Sequence, residues 1–240
     1  MGTLRKVIIY LKMSIKALVH YPSFKTFGDS VKYFNSWLRH LEEGKSSIAD
    51  NMPWLAFGAI DFLKEKLHPH MSLFEYGSGG STLFWSAHLR QVVSIEHEPL
   101  WYEKMVDEFS KRRIQNVEYI LAEAEEDKMF ETKSFENPDH YVSSDLLFKG
   151  KNFRNYVKQI DRFPDQSFDI IVVDGRARPS CIHHAFAKLN EKGYLVIDNS
   201  ERDYYLAPFT FAKPNWKVWK FYGPVPYNYN FSETTIIQRA

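Results

Sequence analysis

Five short apolar runs, SLFEYG, QVVSIEHE, VEYILAEA, FDIIVVDG and GYLVIDN, follow one another from Ser72 onwards with helix-length stretches between them. Runs that are apolar at consecutive positions must be buried on both faces. Strands of that kind, alternating with helices, form a parallel sheet covered on both sides. After the fifth run, WKVWKFYG and ETTIIQR flank the loop PVPYNYNFS and read as a closing antiparallel hairpin. The pattern predicts an α/β domain over residues 71–240, with seven strands, mostly parallel, and helices on both faces. Residues 1–70 carry a different pattern. SVKYFNSWLRHLEE and PWLAFGAIDFLKEKL have apolar residues at three-to-four spacing, and Pro53 suits a first helical turn. This segment is expected to be an N-terminal helical extension.

The stretch EYGSGGST, residues 75–82, separates the first run from a helical pattern at STLFWSAHL. Gly77 and Gly79 have the spacing of a dinucleotide fingerprint, but Thr82 stands where the third glycine belongs. At such a turn, backbone amides and a helix N-terminus point at whatever binds. The second run ends in SIEHE, and an acid at that tip, Glu96, can accept hydrogen bonds from both hydroxyls of a ribose. A nucleoside cofactor is the reading this spacing favours over two unrelated turns. A pyrophosphate-bearing cofactor favours the third glycine. Glu75 before the turn and Thr82 after it suit one without phosphates, carrying an amino-acid tail and a sulfonium.

At these residues the chain resembles the class I S-adenosylmethionine-dependent methyltransferases. FEYGSGGST is similar to their first motif, VVSIEHE to the ribose-binding motif, FDIIVVDG to the fourth-strand motif and GYLVIDN to the fifth. The motifs keep the family's order over roughly residues 70–240. The resemblance implies a Rossmann-like fold and S-adenosylmethionine as cofactor. It puts Glu75, Gly77 and Gly79 along the methionine part, with Ser78 and Thr82 in the same turn. Glu96 takes the ribose, His97 forms a pocket wall, and the AEAEE run with Glu123 and Ala124 borders the adenine.

Asp174 ends the fourth run, and Asp198 with Asn199 ends the fifth, at what should be one edge of the sheet. Two carboxylates and an amide oxygen form a hard-oxygen set suited to Mg²⁺. The plainer alternative is a common acid after strand four and an Asp-Asn turn cap. The trio is similar to that of the divalent-metal-dependent O-methyltransferases of the catechol and macrolide-sugar types. That resemblance implies O-methylation of a small molecule or glycan with Mg²⁺ assistance. One position departs from the catechol type, where a Lys follows the first Asp by three residues. Here Ala177 stands there, between Arg176 and Arg178. An arginine stays protonated and is a poor base, so Arg176 reads as an anion clamp or a charge that lowers a hydroxyl's pKa. His183 and His184, a turn further into the helix that follows, are candidate bases, and Asp174 is a candidate catalytic residue as well. Three rival readings are a metal-free methyltransferase acting on nitrogen or a carboxylate, a nicotinamide oxidoreductase, and a non-catalytic nucleoside-binding module.

Composition removes other classes. A net charge of +1 offers no footprint for nucleic acid, and the single Cys181 excludes an internal disulfide and a Cys-rich zinc site and fits a reducing, cytoplasmic setting. Charge is segregated only at the N-terminus, where Arg5, Lys6, Lys12, Lys16 and Lys25 precede the first acid, Asp29. KVIIYLKMSIKALVHY spaces Ile8, Leu11, Ile15, Leu18 and Val19 as one helix would. That helix either packs on the domain or makes a peripheral contact with a membrane or partner. Residues 125–166 are too long for one connection, so FRNYVKQI is read as a helix. The remaining MFETKSFENPDHYVSSDLLFKGK is a lid or a disordered surface insertion. The aromatic loop YGPVPYNYNF is a wall of the acceptor site or packing at the end of the sheet.

Overall fold

The computed structural model describes residues 2–211 and 215–239. Five helices come first: α1 (Thr3–His20), α2 (Phe24–Lys32), α3 (Phe34–His40), α4 (Ser47–Asp50) and α5 (Phe57–Lys64). The alternating part follows as β1 (Ser72–Tyr76), α6 (Gly80–His88), β2 (Gln91–Glu96), α7 (Pro99–Lys111) and β3 (Val117–Leu121). A small pair, β4 (Glu125–Glu126) and β5 (Lys151–Asn152), precedes α8 (Arg154–Lys158), β6 (Phe168–Val173), α9 (Arg178–Lys188) and β7 (Leu189–Asp198). The hairpin β8 (Trp216–Gly223) and β9 (Ser232–Arg239) closes the chain.

Each apolar run became a strand of one seven-stranded sheet, in the order β3-β2-β1-β6-β7-β9-β8. Five strands run parallel, and β9 is antiparallel to both of its neighbours. The pleat sends Leu73, Val92, Val172 and Val196 to one face, where Tyr10, Trp37, Ile60 and Trp85 meet them. Phe74, Ile95, Val173 and Ile197 go to the other face, against Phe153, Tyr156 and Ile182. Residues 1–70 therefore share the sheet's core, because fully burying a side chain as large as Trp37 removes too much apolar surface from water to be undone cheaply.

Two helical expectations change. SVKYFNSWLRHLEE is broken at Tyr33, between α2 and α3. Pro53 lies ahead of α5 rather than in its first turn. Tertiary bonds set that start: the Ala56 amide donates to Thr234 Oγ1 at 3.1 Å and the Phe57 amide to Pro224 O at 3.1 Å.

The long insertion is an ordered cap over the carboxyl edge of the sheet. Asp127 N donates to Gly150 O at 2.8 Å and closes its base. Its far side reaches the edge through an Asp145–Arg176 ion pair at 3.2 Å, a Ser144–Tyr204 hydroxyl contact at 2.8 Å, and Phe148 packed on His97.

Candidate active site

The register aligns the strand tips. Tyr76 pairs with Ile95 and with Val173, and Val173 pairs with Ile197. Gly77, Glu96, Asp174 and Asp198 are the next residues on four neighbouring strands, so they arrive at one edge. Gly77 has φ +93°, and a β-carbon there would press within 3.1 Å of the Asp174 and Gly175 backbone. Only glycine fits that conformation comfortably. Gly80 is excluded from larger residues for another reason: its β-carbon would overlap the Ser47 carbonyl, where α4 packs on α6. Gly79 differs, since a β-carbon there would meet only Trp101, at 3.8 Å. The open space of the turn is beside Gly79.

Glu75 and Thr82 do not face that space. Glu75 has the pleat orientation of Leu73, is fully buried, and accepts from Thr82 Oγ1 at 2.6 Å, Trp85 Nε1 at 3.0 Å and Ser94 Oγ at 3.0 Å. Thr82 Oγ1 also accepts from the Gly79 amide at 3.0 Å. Glu75, expected along a bound methionine, instead joins Thr82 in tying β1 to α6 and β2. Burial pushes the Glu75 carboxyl up to about 7, although these donors oppose it.

Glu96 ends β2, level with the glycine turn. Its oxygens accept from the His97 amide at 2.7 Å, the Glu98 amide at 3.0 Å and Ser78 Oγ at 2.8 Å, and His97 Nδ1 stands 2.9 Å away. Burial would raise this carboxyl, but His97 and the other donors outweigh it and hold it below the usual range. Glu96 is therefore ionised. Ser78 Oγ also meets Tyr119 Oη at 2.7 Å. On the neighbouring loop Glu123 is exposed and Ala124 half-buried. His97 is walled by Phe148, Phe153 and Tyr156.

Asp174, Asp198 and Asn199 do come together, lining a cavity of about 370 Å³ with Glu201, Trp54 and Asn228. Burial pushes both aspartates up; the Asp174 charge raises Asp198 further, whereas Arg178 and Arg176 oppose the rise at Asp174. The 28% exposure of the Asp174 side chain to the cavity tempers its rise. Asp198 Oδ1 accepts from Thr234 Oγ1 at 2.9 Å. Arg178, buried, donates to Asp174 Oδ1 at 3.0 Å, to Gly175 O at 3.1 Å and to the Asp198 carbonyl, stapling the ends of β6 and β7. The donor set, two carboxylates pressed together and an amide oxygen, fits a hard cation. Among the described residues no group of three or more His, Cys, Asp or Glu side chains forms a metal cage.

A second cavity, about 550 Å³, lies under the insertion and is lined by Arg176, Arg178, Arg202, Tyr204, Tyr205 and Asp145, among others. Arg176 Nε is buried there without a hydrogen-bond partner among the described residues. His183 and His184 line neither cavity. His183 is exposed, and His184 is engaged with Asp161 Oδ1 at 2.8 Å and Tyr141 Oη at 3.3 Å. They sit more than a turn beyond Arg178, on the part of α9 that faces the insertion's base and solvent.

Sequence reasoning missed Arg202, Glu201 and Tyr156. The first two follow Asn199 closely in DNSERDYY, and that proximity was the available signal. Tyr156 was read only as part of a helix. Its ring is fully buried and its hydroxyl has no partner among the described residues, in space left free because position 175 is glycine. The aromatic loop divides its roles. Tyr227 and Tyr229 pack against His40 and Trp37, while Asn228, Asn230 and Phe231 line the acidic cavity.

No protein-family model matches the chain, and no characterised protein matches it by sequence. Solved structures do match. The O-methyltransferase TomG of Streptomyces achromogenes, solved with S-adenosylmethionine, superposes with a TM-score of 0.53 at 16% identity over 87% of this chain and 95% of that one. The chain has the fold of the S-adenosylmethionine-dependent methyltransferases. An O-methyltransferase from Bacillus cereus, solved with S-adenosylhomocysteine, gives 0.52 at 12% identity over 98% and 100% of the two chains. TrmN from Thermus thermophilus gives 0.51 at 10% identity, over 76% of this chain and 48% of that one. In this methyltransferase fold the glycine turn, Glu96 and the acid pair occupy the edge where parallel sheets of this kind bind ligands.

Proposed function

We propose that this chain transfers the methyl group of S-adenosylmethionine to a hydroxyl oxygen of a small-molecule or glycan acceptor that also carries an anionic group. The observation that carries the reading is the meeting of three features on one sheet edge. These are the glycine turn with ionised Glu96, the Asp174–Asp198 pair, and a cavity in which Arg176, Arg178 and Arg202 stand against a single acid, Asp145.

Glu96 grips the ribose, with the rotatable Ser78 hydroxyl giving way to a ribose hydroxyl. The open space beside Gly79 and Trp101 takes the amino-acid end. S-adenosylmethionine supplies an activated methyl group, which the acceptor oxygen takes by direct displacement, leaving S-adenosylhomocysteine. Where no metal is bound, the proton released from the acceptor passes to Asp174, whose burial makes it more basic than a surface carboxylate. Asp174, Asp198 and Asn199 would hold Mg²⁺, which when bound lowers the pKa of a coordinated hydroxyl. Arg176, with an unpartnered Nε, and Arg202 anchor the acceptor's anionic group by charge-assisted hydrogen bonds.

A second reading, metal-free transfer to nitrogen or a carboxylate, is favoured by one observation. Arg178 already supplies a positive charge to Asp174. The deciding experiment begins with calorimetry of the purified chain against S-adenosylmethionine. Labelled methyl transfer then follows to matched sugars and phenols with and without a carboxylate or phosphate, and to amines. Faster turnover of the anionic hydroxyl acceptors is expected. Failure to bind S-adenosylmethionine overturns the activity, turnover of amines alone overturns the oxygen chemistry, and equal turnover of neutral acceptors overturns the acceptor class.

A further inference from the structure

α1 contacts the domain through Tyr10, Ser14 and Ala17, which are buried. Its opposite stripe is not covered. Leu4, Ile8, Leu11, Ile15 and Val19 recur at helical spacing and are 45–74% exposed. α2 adds Phe24, 97% exposed, with Phe27 and Val31 also in solvent. Scattered apolar residues are ordinary on a surface, but a contiguous stripe across two adjacent helices marks a place of contact. Between the helices runs a groove of about 510 Å³ lined by Val7, Leu11, Ile15, Leu18, Phe27 and Val31, among others.

We infer that this face of α1 and α2 seats the protein on an anionic phospholipid surface. Charge selects the occupant. Arg5, Lys12 and Lys16 each follow an exposed apolar residue (Leu4, Leu11 and Ile15) by one position, about 100° further round the helix, so bases border the stripe. No acid precedes Asp29 in the chain to neutralise them. An apolar stripe edged by bases matches the boundary between acyl chains and anionic headgroups. A second copy of the chain fits less well, because a two-fold contact would bring these bases towards their own counterparts. Among the described residues no helix is long and apolar enough to cross a membrane, so the contact lies on the surface. The buried side of the same helix reaches towards the candidate site: the Tyr10 ring packs 5.2 Å from Phe231, which lines the cavity of Asp174 and Asp198.

The inference is independent of methyl transfer and is tested without cofactor or acceptor. The full chain is sedimented with vesicles of phosphatidylcholine alone and of phosphatidylcholine with phosphatidylserine. Binding to the anionic vesicles is expected, weakening as salt rises. Two exposed-site variants separate the contributions, and both should keep the wild-type circular dichroism spectrum. L11S/I15S should reduce vesicle partitioning at least about tenfold by removing apolar contact. K12E/K16E should reduce binding to anionic vesicles by a similar factor and abolish the preference for them. Equal recovery of the protein in the supernatant with either vesicle overturns the inference. So does a concentration-dependent dimer that L11S/I15S dissolves, which would make this face a self-interface.

Discussion

Arg178 Nη2 donates to Asp174 Oδ1 at 3.0 Å, and the same guanidinium bonds the carbonyls of Gly175 and Asp198. One buried cation thus ties together the strand ends that carry both acids of the candidate site. Arg178 is four residues after Asp174 and is the first residue of α9, so the start of the helix that follows the strand delivers the charge that organises the strand's tip.

Asp174→Asn keeps the size of the side chain and removes its charge. It should abolish methyl transfer while S-adenosylmethionine still binds, as calorimetry on the variant would record. Chelation separates the two versions of the chemistry: activity should vanish in excess EDTA and return with Mg²⁺ or Mn²⁺, which share oxygen ligands. Full turnover in EDTA removes the metal and leaves Asp174 as proton acceptor or anchor.

Glu96→Ala should weaken S-adenosylmethionine binding about ten- to a hundredfold, the worth of roughly 1.5–3 kcal/mol for a charged acceptor. Because Glu96 also receives the His97 and Glu98 amides, a small loss of thermal stability should accompany it. An unchanged dissociation constant refutes the ribose assignment.

Two glycines one residue apart should behave oppositely. Gly79→Val has room in the free protein and should keep its melting temperature yet lose cofactor binding. Gly80→Ala meets the Ser47 carbonyl and should lower the melting temperature first. Paired thermal melts and titrations check this. A destabilised Gly79→Val that still binds contradicts it.

Tyr156→Phe removes a buried hydroxyl that has no partner among the described residues. An unsatisfied buried polar group costs about 1–3 kcal/mol, so the variant should be at least as stable as wild type. If that hydroxyl is kept for ligand, turnover or cofactor affinity should nonetheless fall. Greater stability with unaltered activity would leave it without a role.

Glu75 makes stability depend on pH. Its folded value of about 7 lies above the ordinary 4.5, so the folded state prefers the neutral acid. The corresponding stability is fully present below the unfolded value and is lost as pH rises through about 7. Relative to Glu75→Gln, wild type should lose roughly 3 kcal/mol between about pH 5 and 8, read from urea unfolding. Parallel curves for the two proteins rule this out.

Much of this molecule was legible in one dimension. The IIVV of FDIIVVDG and the LVI of GYLVIDN are apolar at every step, and burial on both faces leaves such residues no place but the middle of a covered sheet. Because parallel strands share a direction, the residues ending them, Glu96, Asp174 and Asp198, had to reach a common edge. Pattern could not say which way a side chain at that edge turns. Glu75 is one position from Tyr76, and the pleat aims it at Trp85 and Ser94 rather than at the cleft. His183 and His184 are on the predicted helix, but its rotation gives Arg178 to the acids and His184 to Asp161. Both outcomes depend on contacts between residues distant in the chain, as do the start of α5 at Phe57, the cap over Arg176 and the apolar stripe of α1 left uncovered. Periodicity determines that an element forms and which face is apolar. What that face meets is decided only when the elements pack.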